Sequence, residues 1–421
     1  MALMTGRLGW LMLVLAIQAP AIPNAVFGPV ARSDSPLNGE DLTGPVLAAL
    51  QGGPELPGEW APEAGVGAAE ISHLLARPAL FGREVVILRA VRREGALERV
   101  EATFADAGSF FGYFDQKLPE GLSRRQQEEE LRRRMAVRQE EFATLYDQAL
   151  ATVRAGVAAR AGEERPKSGR VGKGRVLRAE VDEWECGDLT LRLFSADQRL
   201  VRLVIGKDLP DGWLDPAFED EDDRERATRL ASAVRKDGEA VRIEGLEPIP
   251  QGYRPYCGLN SLAMVARHLG LHLDEDWMAA AAGFRNTGSA AGSNMVRLYQ
   301  AVAAEAGLGM DRSSRFDEFA VRGALAEGRP VIVWRRFSHE RNRLHDRVAA
   351  GRAELPDPAS AEERASWPGE EAPLHASVLT GFDGARNEVF FLESWTGRDR
   401  PRRMRFEEMA ATAYLTFVFE D

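Results

Sequence analysis

The sequence has little of three things that mark common classes of protein. Only two of its 421 residues are cysteines, Cys186 and Cys257, so at most one disulfide can form within the chain and a disulfide-rich scaffold is excluded. The net charge of −11 at pH 7 argues against a general nucleic-acid binder, which needs a basic surface. No apolar run approaches the roughly 20 residues that a membrane span needs. What remains is an ordinary globular composition, 44% hydrophobic and 28% charged, which suits about two domains.

The N-terminus has the order of a secretory signal peptide. One arginine precedes an apolar stretch from Leu8 to Ile17, and small residues follow it. We therefore predict that residues 1–25 are a signal peptide, cleaved after Ala21 or Ala25, and that the protein is exported to the periplasm or the extracellular space. The alternative is an uncleaved membrane anchor, for which the apolar stretch is short.

The region before residue 245 shows two blocks of alternating apolar residues. Residues 26–75 are rich in proline, glycine and alanine, and we predict an irregular linker with a short helix. Residues 76–244 are predicted to form an α+β accessory domain. It has a hairpin over 80–110 with a glycine turn and three antiparallel strands over 175–206. The two blocks share a strand–turn–strand rhythm, with which an internal duplication is compatible.

Residues 122–162 predict one long amphipathic helix. Apolar residues recur there at helical spacing among dense charges: Leu131, Met135, Phe142, Leu145, Leu150 and Val153. The arginine and glutamate runs between them are typical of a solvated face with pairs four residues apart. The alternative is a surface for a partner, through which the chain would associate with itself.

Residues 245–421 predict a second domain in which helices come first and antiparallel strands follow. The helices are predicted from Cys257 to Gly270, over 295–307 and over 316–328. The strands are predicted over 329–337 and in two runs between 374 and 395, after a long acidic insertion at 338–373. This order of elements predicts the α+β class for the chain.

Cys257 stands where a loop turns into this first helix. A thiol is a strong nucleophile only as a thiolate, which a helix N-terminus and a nearby imidazole both favour. His375 begins a strand and is the best candidate for that imidazole. Glu393, on the partner strand, can stand beside it, and Gln251 lies six residues before Cys257. Taken singly, each residue has a structural explanation, and a lone cysteine on an apolar helix is usually core packing.

Together these residues resemble the papain-like cysteine peptidases. That family carries a glutamine six residues before its cysteine, a histidine on a strand and an asparagine followed by Ser-Trp. Here Gln251, the Cys257–Gly258 pair, "HASVLTGF" from His375 and "ESWTG" from Glu393 match those features. The compact layout is most similar to the bacterial branch that includes the double-glycine leader peptidases, over residues 245–421.

The resemblance implies a role for each matching residue. Cys257 would be the nucleophile, His375 the base and then the acid, and Glu393 the group that orients His375. Gln251 would donate to the oxyanion. The supporting residues would be Trp395, which shields the histidine, with Ser394 and Gly258. Two features depart from the papain pattern: Glu393 replaces the asparagine, and "RPYCGLN" replaces the usual sequence around the cysteine.

Three functions remain open on the sequence. The first is an exported cysteine peptidase that hydrolyses peptide or isopeptide bonds, acts on a protein or peptide, needs no cofactor or metal and binds no nucleic acid. The second is a silent scaffold with the same fold, which a Cys186–Cys257 disulfide would favour. The third is a transglutaminase-like acyl transferase. A metal site at His339 and His345 with Glu340 and Asp346 is a further, weaker alternative, since the spacing matches no known ligand set.

Overall fold

The described part of the chain forms two large antiparallel sheets with helices between them and on their outer faces, and one small two-stranded sheet. The computed structural model describes residues 31–111, 118–251, 254–284, 292–395 and 400–420. Within these residues each of the two large sheets has eight strands. The combination of helices and antiparallel sheets confirms the predicted α+β class.

The predicted signal peptide, residues 1–25, lies outside the described residues. In the part of the chain that the structure describes, no helix has the length and apolar character needed to cross a membrane.

The first half of the chain builds one sheet and the helices on its outer face. Its elements are α1 (Thr43–Leu50), β1 (Trp60–Val66), β2 (Ala69–Leu74), β3 (Ala79–Leu80), β4 (Arg83–Glu84), β5 (Ile87–Arg93), β6 (Ala96–Asp106), α2 (Ala107–Phe111), α3 (Arg124–Ala161), β7 (Lys167–Val171), β8 (Ala179–Cys186), β9 (Leu189–Ala196) and β10 (Leu200–Gly206). The hairpin predicted over 80–110 is β5 and β6, and its turn places Glu94 and Gly95 at positive φ.

The first sheet consists of two four-stranded meanders that meet in its middle. The strand order is β1-β2-β5-β6-β10-β9-β8-β7, and β6 pairs with β10 antiparallel. The last strand of each meander is therefore the one that joins the two. The three strands predicted over 175–206 are β8, β9 and β10.

β1 and β2 occupy a region that the composition predicted to be a linker. Residues 60–74 pair with each other as a hairpin, and β2 continues into the sheet through β5. The prediction failed here because Pro62 and Gly65 weaken the strand pattern. Proline is tolerated in β1 because this strand lies at the edge of the sheet, where one side needs no backbone hydrogen bonds.

The long helix predicted over 122–162 is α3. Ser123 and Gln126 form a capping box at its start, and Gly162 ends it in the left-handed conformation. Its buried face differs from the predicted one and consists of Phe142, Tyr146, Ala149, Val153 and Val157. Leu131 and Met135 are only half-buried, and the buried residues of the helix begin at Phe142.

The second half of the chain builds the other sheet and the helices around it. Its elements are α4 (Asp223–Ser232), β11 (Val234–Asp237), β12 (Ala240–Ile243), α5 (Cys257–His268), α6 (Glu275–Ala281), α7 (Gly292–Glu305), β13 (Gly309–Ser313), α8 (Glu318–Ala326), β14 (Val331–Arg336), α9 (His339–Ala349), α10 (Ala361–Ala365), β15 (Leu374–Asp383), β16 (Glu388–Glu393), β17 (Arg402–Arg405), α11 (Phe406–Thr412) and β18 (Ala413–Glu420).

The second sheet is centred on β15. The main order is β11-β12-β15-β14-β18-β13, and β16 pairs with the other edge of β15 and with β17. Apolar side chains of α5 and α7 pack on one face of this sheet, and those of α8 and α11 pack on the other. Because β12 pairs with β15, the sheet takes in strands that precede residue 245.

The two halves share one hydrophobic core. The inner face of the first sheet packs against α5 and α6, and one cluster of buried residues includes side chains from both halves. Phe194 and Trp213 of the first half, for example, have ring centroids 5.6 and 5.5 Å from that of Trp277 on α6. The helical layer α5–α7 is thus enclosed by a sheet on each side.

The acidic segment 338–373 is folded against the second sheet. α9 and α10 are held there by Arg341, which is buried and pairs with Glu363 and Glu408. His345 is fully buried on the same carboxylate of Glu408. This segment ends at Pro373, two residues before His375, and so forms one wall beside the start of β15.

Candidate active site

Cys257 is the first residue of α5, as the sequence predicted. Tyr256 is the N-cap, and its side chain makes no capping hydrogen bond to the helix. The first backbone N–H groups of α5 therefore lie near the thiol of Cys257 without a side-chain cap. Leu262, Val265 and Leu269 are buried on the opposite side and anchor the helix in the shared core. The thiol itself is half-buried. A cysteine at this position is favoured as a thiolate.

His375 stands next to Cys257 at the beginning of β15. The strand brings the imidazole within hydrogen-bonding range of the thiol. Burial alone would raise the pKa of Cys257, but the hydrogen bond and charge of His375 and the backbone N–H groups of Ala376 and Gly258 outweigh it and lower that pKa. Burial likewise opposes the charged imidazole, but Glu393 and Cys257 raise the pKa of His375 to about 9. The arrangement therefore favours a thiolate–imidazolium pair at neutral pH.

Glu393 is the third member of this group. It ends β16 and lies opposite Ser377 in the register of the sheet. Its Oε2 atom is 2.5 Å from Nε2 of His375, which leaves Nδ1 of the imidazole toward the thiol. Burial would raise the pKa of Glu393, but the charges of His375 and Arg335 lower it to about 2. The carboxylate is thus ionised although it is almost completely buried.

Arg335, which sequence reasoning missed, balances the charge of Glu393. It lies on β14 directly opposite His375, and its side chain is 2% exposed. Its Nη2 donates to Oε1 of Glu393 at 2.6 Å and its Nε donates to Oγ of Ser377 at 3.0 Å. Ser377 in turn donates to the carboxylate at 3.2 Å. The sequence held one signal for this, an arginine at the end of the apolar strand "VIVWRRF", because a buried arginine needs an acidic partner.

Trp395 covers the histidine. Its ring stacks on that of His375 with centroids 4.3 Å apart and an interplanar angle of 24°. Phe337 contacts both rings, with centroids 5.5 Å from His375 and 4.8 Å from Trp395. These aromatic rings limit the access of water to the His375–Glu393 pair, which strengthens its electrostatic interaction.

Gln251 lies beside the nucleophile loop with its amide held at both ends. Oε1 accepts from Oγ of Ser394 at 2.6 Å, and Nε2 donates to the carbonyl of Arg254 at 3.1 Å. The backbone N–H of Gln251 also donates to the carbonyl of Ser394 at 2.8 Å. Ser394 therefore connects the Gln251 loop to the residue next to Glu393. Ser394, predicted as a supporting residue, thus holds Gln251, the predicted oxyanion donor, through both its side chain and its backbone.

Gly258 allows a close contact behind the nucleophile. Its carbonyl accepts from the hydroxyl of Tyr299 at 2.7 Å, and Trp334 donates to that hydroxyl at 3.2 Å. A Cβ atom at Gly258 would lie 3.3 Å from the Tyr299 hydroxyl. A side chain at this position would press on the tyrosine that orients the first turn of α5.

Cys186 and four other histidines lie in different surroundings. Cys186 and Cys257 are both free thiols, and Cys186 lies against the carbonyl of Arg160 on α3. Three histidines bond to groups outside the site: His268 to the carbonyl of Gly328, His272 to Asp215, and His345 to Glu408. His339 contacts only the rim of the site, with its ring 5.0 Å from that of Phe337.

The geometry speaks against the metal site considered at 338–346. His345 is buried against Glu408, whereas His339 faces Phe337, so the two rings do not converge. Across the described ranges, no three histidine, cysteine, aspartate or glutamate side chains are grouped as a metal would require.

The site has the composition of a papain-like cysteine–histidine centre on a helix and three adjacent strands. The model of the Peptidase_C39 like family matches residues 243–420. This match confirms, for the C-terminal region, the resemblance to the papain-like branch of double-glycine leader peptidases. The matched residues include the whole of the candidate site and leave the first sheet outside the match.

Two solved structures are also similar to the chain. One is the peptidase domain of Streptococcus ComA, a bi-functional ABC transporter involved in a quorum-sensing pathway. The similarity covers 42% of this chain and 98% of that chain, at 15% sequence identity and a TM-score of 0.27. The other is a Bacillus anthracis protein described as a C39-like peptidase, with 14% identity, 44% and 98% covered, and a TM-score of 0.30. No curated protein matches the sequence.

Proposed function

We propose that the protein is an exported cysteine peptidase that hydrolyses peptide or isopeptide bonds through an acyl-enzyme. The observation that carries this proposal is the arrangement of Cys257, His375 and Glu393 around one thiol. The pKa of the thiol is lowered, so the sulfur is available as a thiolate nucleophile. The pKa of the imidazole is raised, so His375 carries the proton that the leaving group needs.

The proposed reaction has two stages. The Cys257 sulfur attacks the carbonyl carbon of the scissile bond, and the negative oxygen that forms accepts hydrogen bonds from the Gln251 amide and the Cys257 backbone N–H. When the C–N bond breaks, the imidazolium of His375 gives its proton to the departing amine. Water then attacks the thioester, His375 takes a proton from it, and the acid product leaves with the thiolate restored.

Glu393 would keep His375 in position throughout. A carboxylate can accept from the imidazole N–H as the asparagine of papain does, but it adds a buried negative charge. Arg335 compensates this charge, with Nη2 at 2.6 Å from Oε1. We therefore interpret Arg335 and Glu393 together as the replacement for a neutral asparagine.

Cleavage of a protein substrate tests the proposal. The wild-type chain without residues 1–25 is incubated with fluorescein-labelled casein and with a mixed peptide pool, and products are identified by mass spectrometry. We expect Cys257→Ala and His375→Ala to abolish cleavage. Cys186→Ala is the matched control, since it removes the other thiol and should leave cleavage unchanged. Full cleavage by Cys257→Ala would refute the assignment.

The same experiment separates the alternatives. An amine such as glycine ethyl ester is added to the reaction, and incorporation of the amine in place of hydrolysis would identify an acyl transferase. If Cys257 of the wild-type protein does not react with iodoacetamide, the protein is a silent scaffold. Export is tested by fractionation of cells that express the full chain and by N-terminal sequencing of the product, where an unprocessed N-terminus in the cytoplasm would contradict it.

A further inference from the structure

A corner of the first sheet packs directly on the nucleophile loop. The corner is the turn from β6 into α2, and Gly108 lies there against the ring of Tyr256, which precedes Cys257. A Cβ atom at Gly108 would lie 1.6 Å from the Tyr256 hydroxyl oxygen. Only glycine allows this approach, so the first half of the chain is in close contact with the loop that carries the thiol.

Arg254 is the second point of contact. It is three residues before Cys257 and only 5% exposed. Its Nε donates to the carbonyl of Gln251 at 3.1 Å, while its own carbonyl accepts from the Gln251 amide at 3.1 Å. Its other nitrogens donate to Glu275, at 2.9 Å, and to Asp276. Arg254 therefore holds the Gln251 backbone and the Nε2 end of its amide from one side, while Ser394 holds the Oε1 end from the other.

Arg89, on β5 of the first sheet, binds the same two carboxylates. Its Nη1 lies 3.4 Å from Oδ2 of Asp276, and its Nη2 lies 3.3 Å from Oε1 of Glu275. Arg202 on β10 adds contacts to Asp274, at 3.0 Å, and to Asp276, at 3.6 Å. All of these side chains are almost completely buried between the two halves.

The charges explain why the arginines of the first sheet matter for Arg254. Asp274, Glu275 and Asp276 are three consecutive acidic residues at the start of α6, and buried like charges repel each other strongly. Arg202 compensates Asp274, while Arg254 and Arg89 share Glu275 and Asp276 between them. Without Arg89 the carboxylates that hold Arg254 would rearrange or admit water, because a buried unpaired charge is costly.

We propose that Arg89 of the N-terminal half is a positioning residue for the oxyanion donor Gln251, acting through Glu275, Asp276 and Arg254. This inference rests on the proposed function and deepens it. The first sheet is then a permanent part of the catalytic unit rather than an inhibitory domain that is removed. Among the described residues, Arg89, Glu275, Asp276 and Arg254 bond to one another, and Arg254 to Gln251, with no hydrogen bond to His375 or Glu393, whereas Ser394 joins Gln251 to the strand that carries Glu393. A change at Arg89 should therefore affect the oxyanion donor more than the thiolate pair.

Two reactions of Cys257 separate these dependences. Iodoacetamide alkylates the thiolate with displacement of iodide and forms no oxyanion, so its rate reports the ion pair. p-Nitrophenyl acetate acylates the same sulfur through a tetrahedral oxyanion and releases p-nitrophenolate, so its rate reports the oxyanion donor as well. Both rates are measured on the chain lacking residues 1–25, in a Cys186→Ala background that leaves one thiol.

We expect Arg89→Met to slow acylation about tenfold or more and to change alkylation less than twofold. Arg192→Met is the matched control: Arg192 is an equally buried arginine of the first sheet, but it pairs with Glu183 and Asp211 of its own half. It should leave both rates unchanged. Equal acylation by Arg89→Met and the wild type would overturn the inference.

A conservative variant decides the case in which Arg89→Met fails to fold. Arg89→Lys keeps the charge but cannot bridge two carboxylates, so acylation should fall at least threefold at unchanged alkylation, and unchanged acylation would overturn the inference. The proposed function fails separately, if the wild type reacts with both reagents but cleaves no peptide bond in casein or the peptide pool.

Discussion

Replacing Glu393 by glutamine removes one charge from the site with little change in shape. The carboxylate is nearly fully buried and lies 2.5 Å from the imidazole. For a charge separation of about 4 Å and an effective dielectric constant of about 20, the attraction between Glu393 and the imidazolium is about 4 kcal/mol. This corresponds to about 3 pH units in the pKa of His375. It offsets much of the effect of burial and, together with the contribution of Cys257, raises the pKa of His375 to about 9.

Glu393→Gln should therefore reduce the thiolate at Cys257 near neutral pH. The wild-type imidazolium keeps its proton up to about pH 9 and stabilises the thiolate below that pH. Without the carboxylate the imidazole is mostly neutral at pH 6.5, and the pKa of the thiol returns toward its ordinary value of about 8.5, at which about 1% is ionised at pH 6.5. We expect alkylation by iodoacetamide at pH 6.5 to fall 10- to 100-fold, and at pH 10 to change little.

The assay is the rate of alkylation from pH 5 to 10 in the Cys186→Ala background. Glu393→Gln also leaves Arg335 buried without its charged partner, which should cost about 3–5 kcal/mol of unfolding free energy. The double variant Arg335→Met/Glu393→Gln removes both charges and should recover most of that stability while it keeps the altered pH profile. A Glu393→Gln profile equal to the wild type would refute the role assigned to Glu393.

Two further predictions concern the oxyanion loop and the packing of α3. Ser394→Ala removes the donor to Oε1 of Gln251, so acylation by p-nitrophenyl acetate should fall about tenfold while alkylation by iodoacetamide stays the same; equal losses in both reactions would contradict this role. Gly156→Ala places a Cβ 2.6 Å from the carbonyl oxygen of Phe81, which should destabilise the protein to urea by about 1–3 kcal/mol. The control Gly323→Ala on α8 meets no atom within 4 Å and should stabilise it by about 0.5–1 kcal/mol; a stable Gly156→Ala would contradict the packing.

The sequence predicted the elements that carry strong local patterns. The long helix α3 was predicted in extent, with a capping box at its start and Gly162 at its end, although its buried face was predicted wrongly. The hairpin of β5 and β6 has a Glu-Gly turn between alternating runs. Strand β1 was missed because its proline and glycine residues are tolerated only at a sheet edge. Which strand lies at an edge depends on the pairing of all eight strands, and no local pattern encodes it.

The candidate site was predictable as far as the family pattern extends. The residues Gln251, Cys257, His375 and Trp395 follow that pattern in order and type. Glu393 follows it in position only, and the structure brings all five together. Their roles in catalysis remain predictions.

Arg335, Ser377 and Arg89 lie outside the family pattern and were missed. Each acts through a partner that is distant in the chain: Arg335 is 58 residues from Glu393, and Arg89 is 187 residues from Asp276. The residues around each arginine in the sequence indicate only that the arginine is buried. Its partner depends on how the two sheets pack on α5 and α6.

The ionisation of Cys257 is the most direct test of the account. Thiolate absorbs in the ultraviolet and thiol does not, so the difference in absorbance between the wild type and Cys257→Ala, both with Cys186→Ala, follows the charge of this one sulfur as the pH changes. We expect the thiolate to be present well below pH 8.5, and we expect His375→Ala to move its appearance up toward that pH. A thiolate that appears only near pH 8.5 in the wild type would contradict the ion pair on which the proposed peptidase depends.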